Sequence, residues 1–362
     1  MSPDRWARAA ALVVLTLCAG CGGAAGPSVT SFDRPARDAQ EFLDRLDQIR
    51  RDLSIPGLGV SITREEQVVV AGGLGLADVE AAIPPTGTTS FHLASLSKTY
   101  ASTLLMQLVE EGRVDLEDPV SNYGVVLSST GTVRVKHLLT HTSEGVPGAT
   151  FSYNGDRFQL LENVIRQASG RAYAELLVER ILKPLQLRQT APNVQDTASF
   201  ALMGLDRNAF VANLAKPYAL DGAGRIVPSA YPSFFGVAAG LISSATEVAD
   251  YSLAIDRDAF LRPETKARVF TPATSNSGQP LPYGLGWFVQ TVSGQRIAWH
   301  YGLWTANSSL IIKALDRHLT LVVLANSDRL SEPFPLGRGD LMVSPVAREF
   351  VGAFVTGSGQ LP

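Results

Sequence analysis

The sequence predicts an α/β protein of the α+β kind. It should have one antiparallel sheet of about five strands, flanked by helices and joined to a mainly helical lobe. Three observations predict this. Near the front, GLGVSITREEQVVVAGGLGLADV is a β-rich hairpin with a charged turn near Arg64–Glu66. The middle, from about Ser95 to Leu185, is mainly helical with polar connections. At the back, WFVQTV, RIAWHYG, SSLIIKAL and HLTLVVLANS are successive strands, the outer pairs joined by a Ser-Gly and an Asp-Arg turn. Strands from both ends of the chain would share one sheet. A cleft between that sheet and the helical lobe is where a site is expected.

The first residues, MSPDRWARAAALVVLTLCAGCGGAAGPS, read as a targeting segment rather than as part of the fold. Arg5 and Arg8 precede an apolar run, Ala9 to Leu17, that only Thr16 interrupts and that is too short to span a bilayer. The small residues Ala19 and Gly20 lead into Cys21. The stretch resembles a bacterial lipoprotein signal, with Cys18 standing where a leucine is usual. That resemblance implies lipidation at Cys21, membrane association through the lipid, and a location facing the periplasm or cell surface. Residues 1–21 are then signal peptide, 22–36 a small-residue tether, and 37–362 the folded domain. Within it, 37–94 and 235–362 would build the sheet lobe and 95–234 the helical lobe. Cys18 and Cys21 are the only cysteines, so the domain has no thiol nucleophile and no cysteine-bound metal. A net charge of -3, without a basic stripe, argues against a nucleic-acid partner.

From Arg37 to Leu53, Phe42, Leu46, Ile49 and Leu53 are spaced by four, three and four, which predicts an amphipathic helix. Ser344-Pro345 caps and starts a last helix through about Phe354. The segment Leu205–Tyr231 is aperiodic and reads as a loop-rich insertion on the rim of the site.

The chemistry centres on FHLASLSKTY, residues 91–100. Residues three apart on a helix are neighbours, so Ser95 and Lys98 can touch. A serine hydroxyl is a poor nucleophile until a base takes its proton. A lysine can be that base only if burial or nearby positive charge lowers a pKa of about 10.4. The apolar run Leu104–Leu108 would help. Taken alone, the pair has a common spacing and reads better as a helix cap and a solvated lysine.

The surroundings decide between these readings. FHLASLSKTYASTLLMQLVEEGRVDLEDPVSNY resembles the nucleophile region of the serine β-lactamase and penicillin-binding protein superfamily, in particular its class C-like branch of esterases, D-peptidases and related hydrolases. VKHLLTHTSEGVPG, FSYNGDRFQLLENVIRQASG, ILKPLQLRQT, GVAAGLISSATEVADYS, YGLGWFVQ and WHYG…LTLVVLANS extend the likeness, in the family's order, over roughly Ile49 to Asn326. It implies a β-lactamase/transpeptidase-like fold, with Ser95 as the acylated nucleophile and Lys98 as its proton acceptor. The family's Tyr-x-Asn element is Tyr153-Asn154-Gly155 here, so Tyr153 would share proton transfer and Asn154 and Gly155 would lie against the substrate, with Gly155 lacking the usual amide. The Lys-Thr-Gly or His-x-Gly element is His300-Tyr301-Gly302. His300 would take the place of a lysine that greets a substrate carboxylate, Gly302 would let substrate approach the strand, and the N–H groups of Ser95 and Leu303 would hold the oxyanion. Trp299 and Trp304 flank this element as core residues or as an apolar wall.

His137 and His141 have the four-residue spacing of helical zinc sites, but Leu138 stands where H-E-x-x-H needs glutamate. No metal or cofactor is expected. The expected function is therefore a serine hydrolase acting through an acyl-enzyme on a small ester, amide or D-amino-acid peptide. A β-lactamase or penicillin-binding carboxypeptidase is the alternative, and a non-catalytic surface binding protein on the same fold is the alternative of another class.

Overall fold

The computed structural model describes residues 27–362. The expected signal segment, residues 1–21 with Cys21, lies outside the described residues. Helix α1 (Ala39–Asp52) begins where Asp38 accepts the backbone N–H of Glu41 at 2.9 Å. Its apolar stripe, Phe42, Leu46 and Ile49, is buried, as the spacing predicts. The chain then enters a hairpin of β1 (Gly57–Arg64) and β2 (Gln67–Gly75). Glu65, in the left-handed region at φ 56°, makes the turn.

Four further strands close the sheet: β3 (Phe288–Val292), β4 (Gln295–Trp304), β5 (Asn307–Ala314) and β6 (Leu319–Ala325). Among the described residues, the order is β2-β1-β6-β5-β4-β3, antiparallel throughout. The sheet thus has six strands rather than about five, because all four C-terminal segments pair. The first and last parts of the chain meet at β1 and β6, where Val60 lies opposite Val323.

Side-chain alternation gives the sheet two buried faces. Val60, Ile62, Trp299, Leu310, Ile312 and Val323 face α1 and the C-terminal helix α5 (Pro345–Phe350). Ala298, Ile311, Val322 and Leu324 face a second core, shared with α2 (Ser97–Glu110) and α4 (Ala245–Asp256). That second core runs on into the helical layer, where α3 (Leu161–Ser169) buries Leu161, Val164 and Ile165. Helix α2 is buried on nearly every side, with only Gln107, Val109 and Glu110 reaching outward. Polar residues of its first turn are therefore inside the protein.

Two expectations change. The tether is not detached along its whole length: Val29 and Phe32 pack on the α1 side of the core and Ala36 is buried there. Arg45 holds this region by stacking over Phe32 and pairing with Glu41 and Glu349. The segment Leu205–Tyr231 is not simply loop. It forms a helix, Arg207–Ala212, and a short hairpin of Tyr218–Leu220 with Ile226–Pro228. Elements this short carry no readable period.

Candidate active site

Ser95 lies in a tight turn between a short strand, Ser90–His92, and α2. The strand pairs with Ile242–Ser244, and the N–H of Leu93 donates to the Leu241 carbonyl at 2.8 Å. Ala94 then takes φ 47°, a left-handed conformation that a non-glycine residue adopts at a cost and that tertiary contacts must hold. Two serines hold it. Ser97 Oγ donates to the Ala94 carbonyl at 2.7 Å, and Ser309 Oγ on β5 donates to the Leu93 carbonyl at 2.7 Å. The turn leaves Ser95 half-buried at the head of α2.

Lys98 follows one turn later and is completely buried. Its Nζ donates to Ser95 Oγ at 2.9 Å and to the Ala238 carbonyl at 2.7 Å. The ammonium also lies 5.3 Å from the centroid of the Tyr153 ring and 5.4 Å from that of Phe158. Burial pulls its pKa down to about 7, and the Asp156 carboxylate opposes that shift. Near neutrality a substantial share of Lys98 is therefore an unprotonated amine hydrogen-bonded to the serine.

Tyr153 is placed against this pair by His141. The His141 carbonyl accepts the N–H of Ser152 at 2.8 Å, and its Nδ1 accepts the N–H of Asn154 at 3.1 Å. Backbone on both sides of Tyr153 is thus tied to one residue, and the two rings lie 4.4 Å apart. The bond to Nδ1 puts the imidazole proton on Nε2. The Tyr153 hydroxyl is sealed from solvent and makes no hydrogen bond among the described residues. Burial pushes its pKa well above the usual value, while the neighbouring Ser95 works the other way. It is a phenol at neutral pH.

His300 is on β4 and wholly buried. Its Nδ1 donates to the Tyr301 carbonyl at 2.7 Å, and its Nε2 accepts the Tyr283 hydroxyl at 2.9 Å. Burial, with the positive charge of Lys98 second, lowers its pKa to about 3. The ring is neutral with both nitrogens engaged, so it presents no cation to a substrate carboxylate. Gly302 is required by the protein's own packing. A Cβ there would lie 2.1 Å from the Leu93 carbonyl oxygen and 2.3 Å from Ser309 Oγ, so the chain itself fills the space. Leu303, the next residue, is exposed.

Asn154 faces away from the role the sequence suggested. Its Oδ1 caps the short helix Gly155–Gln159 by accepting the Arg157 N–H at 2.9 Å, and its Nδ2 donates to Glu144 at 3.0 Å. Gly155 is the open position: a Cβ there would sit 3.8 Å from Lys98 Nζ. Trp299 is core, stacked on Phe288 at 4.3 Å, whereas Trp304 meets the exposed Phe234 at 5.8 Å. Phe234 and Trp304 thus pack together at the end of β4. Tyr231, by contrast, stacks on His92 at 4.0 Å, behind the strand that leads to Ser95.

The structure thus brings Ser95, Lys98 and Tyr153 together, sets Gly302 and Leu303 beside the serine's turn, and places His300 beneath. Sequence reasoning missed Ala238, Ser309 and His141. His141 belonged to the LLTHTSE phrase, where the zinc-like spacing drew attention instead; its partners and those of His137 are backbone groups.

The family described as Beta-lactamase matches residues 40–339. Penicillin-binding protein 4* of Bacillus subtilis (strain 168) is 25% identical over 303 residues, covering 71% of this chain and 65% of that protein. D-aminopeptidase of Brucella canis is 24% identical over 304 residues, covering 75% of this chain and 56% of that protein. The chain therefore spans less than two thirds of the length of these relatives. Among solved structures, the octameric penicillin-binding protein homologue from Pyrococcus abyssi superposes with a TM-score of 0.72 at 25% identity, covering 80% of this chain and 74% of that one. With the matched region enclosing the serine–lysine pair, Tyr153 and the His300–Gly302 strand, the chain belongs to the Beta-lactamase family.

Proposed function

We propose that this protein hydrolyses a small ester, amide or D-amino-acid peptide through an acyl-enzyme on Ser95. The observation that carries this reading is the 2.9 Å bond from a buried, low-pKa Lys98 to Ser95 Oγ. Neutral Lys98 takes the Ser95 proton as Oγ attacks the carbonyl carbon. The N–H groups of Ser95 and Leu303 hold the oxyanion. As the tetrahedral species collapses, the proton on Lys98 passes to the leaving group, with the Tyr153 phenol as the relay beside it. Water then attacks the ester. Because burial holds Tyr153 in its protonated form, Lys98, neutral again after the first half-reaction, is the base for that step.

Two features support uncharged or amine-bearing substrates over those ending in a carboxylate. His300 has no proton or lone pair to offer, and Gly155 leaves the family's amide position bare. The match to a penicillin-binding protein favours a second reading, β-lactam hydrolysis or D-alanyl-D-alanine carboxypeptidase activity. Export and lipid anchoring at Cys21 complete the proposal and rest on the N-terminal sequence alone. The test is turnover of p-nitrophenyl acetate, D-alanine p-nitroanilide and a chromogenic cephalosporin by wild type and Ser95→Ala. Hydrolysis of the ester or the D-anilide that is lost in Ser95→Ala supports the first reading. Rapid hydrolysis of the cephalosporin alone supports the second.

A further inference from the structure

We propose that Ser309 is a positioning residue that sets the width of the oxyanion hole by tying the nucleophile's turn to the sheet. This rests on the reading that the Ser95 and Leu303 N–H groups receive the oxyanion. Those two donors belong to separate pieces of the protein. Ser95 is in the turn before α2, and Leu303 is on β4. Something must fix one against the other, because donors stabilise an oxyanion only when they lie about 2.7–3.1 Å from its position.

Ser309 is placed to do so. It lies opposite Gly302 in the β4–β5 ladder, so both residues present the same face of the sheet. That face meets the Leu93–Ala94 turn. The absent Cβ of Gly302 leaves a notch bounded by the Leu93 carbonyl oxygen, Ser309 Oγ and the Ala94 Cβ, at 2.1, 2.3 and 3.1 Å from where it would be. Across that notch Ser309 Oγ donates to the Leu93 carbonyl at 2.7 Å. The other side of the same residue is pinned too, since the Leu93 N–H donates to the Leu241 carbonyl at 2.8 Å. Ser95 is two residues further on, and Leu303 directly follows Gly302.

The Leu93 carbonyl has a second donor, the N–H of Leu96 at 3.2 Å. Removing the Ser309 hydroxyl therefore leaves the oxygen partnered and the turn closed, while the link between turn and sheet is cut. Fold and geometry separate at this position. Ser308, the next residue along β5, is the natural control. Its Oγ donates to the Ser327 carbonyl and accepts the Leu330 N–H at 3.2 Å, on the opposite face of the strand from the turn.

The experiment compares wild type, Ser309→Ala and Ser308→Ala for p-nitrophenyl ester turnover, for inhibition by phenylboronic acid as a tetrahedral mimic, and for thermal midpoint. Displacement of one oxyanion donor by a fraction of an ångström should cost roughly 10–100-fold. Ser309→Ala should lose that factor in kcat, with KM within about twofold of wild type, and the boronate inhibition constant should rise by a similar factor. Ser308→Ala should lose thermal midpoint and keep kcat. Wild-type kcat and boronate affinity in Ser309→Ala would overturn the proposal, as would equal kcat losses in both variants. A wild-type protein that neither turns over esters nor binds the boronate would overturn the hydrolase reading itself. An active wild type with an unaltered Ser309→Ala would overturn this inference alone.

Discussion

Lys98 Nζ lies 2.9 Å from Ser95 Oγ and, among the described residues, has no carboxylate hydrogen-bonded to it, its other acceptor being the carbonyl of Ala238 at 2.7 Å. An ion pair would have raised the lysine's pKa; a neutral carbonyl in a dry site leaves desolvation in control. The same burial that leaves the amine deprotonated enough to act makes the site sensitive to pH and costly in stability.

Activity should therefore follow the titration of Lys98. With its pKa pulled down to about 7, kcat/KM for an uncharged ester should rise with pH through a midpoint near 7 and level off above it. Lys98→Arg keeps the positive charge and cannot release a proton, so it should be inactive at every pH. A profile flat from pH 5 to 9 would show that Lys98 is not the base.

Stability should move the opposite way from activity when Lys98 is removed. The folded pKa of about 7 lies below the ordinary 10.5. Between those values the unfolded chain binds the extra proton, and stability rises with pH. Below about 7 both states are protonated, and the full penalty of roughly 4–5 kcal/mol remains. Lys98→Met removes it but leaves the Ala238 carbonyl without its partner, a loss of about 1–3 kcal/mol. The variant should be inactive and more stable than wild type at pH 6 by something on the order of 2 kcal/mol, with the gap closing towards pH 10. Urea denaturation at the two pH values measures this, and a Lys98→Met protein less stable at pH 6 than at pH 10, relative to wild type, would contradict it.

His300→Lys, which restores the family's lysine in name, should not restore its role. Position 300 is wholly buried and already feels the charge of Lys98, so a second ammonium would be unpaired and next to the first. Removing a buried charge's partners costs about 3–5 kcal/mol, and a loss of that size is expected in urea. KM for substrates with a terminal carboxylate should not fall. A stable His300→Lys protein with improved carboxylate binding would show that the strand can turn this side chain outward.

Gly302→Ala should damage both fold and catalysis. Its Cβ would meet the Leu93 carbonyl oxygen at 2.1 Å, a backbone atom that cannot swing aside. Either β4 or the nucleophile's turn must shift, with a cost of roughly 1–3 kcal/mol for such overpacking and a larger proportional loss in kcat. Thermal melting and ester turnover read the two effects side by side.

What could be read in the sequence depended on how local the determinant was. The stripe of Phe42, Leu46 and Ile49 and the hairpin around Glu65 are local patterns, and both elements form as read. Ser95 and Lys98 are three residues apart, so their contact follows from the helix alone. Ala238 lies 140 residues from Lys98, Ser309 216 from Leu93 and His141 13 before Asn154, so each meets its partner only once the chain has folded. Gly302 reads in the sequence as room for substrate, and the group that the fold brings close to it is the protein's own Leu93 carbonyl. Asn154 shows the converse: its type suited a substrate contact, while its place at a helix start committed the side chain to capping.

The most direct test of the central claim is intact-protein mass spectrometry after treatment with a fluorophosphonate at pH 8, on wild type and Ser95→Ala in parallel. The account predicts a single adduct on wild type, mapped to the peptide containing Ser95, and no adduct on a folded Ser95→Ala protein. Equal labelling of both proteins, or an adduct mapped to another residue, would contradict it.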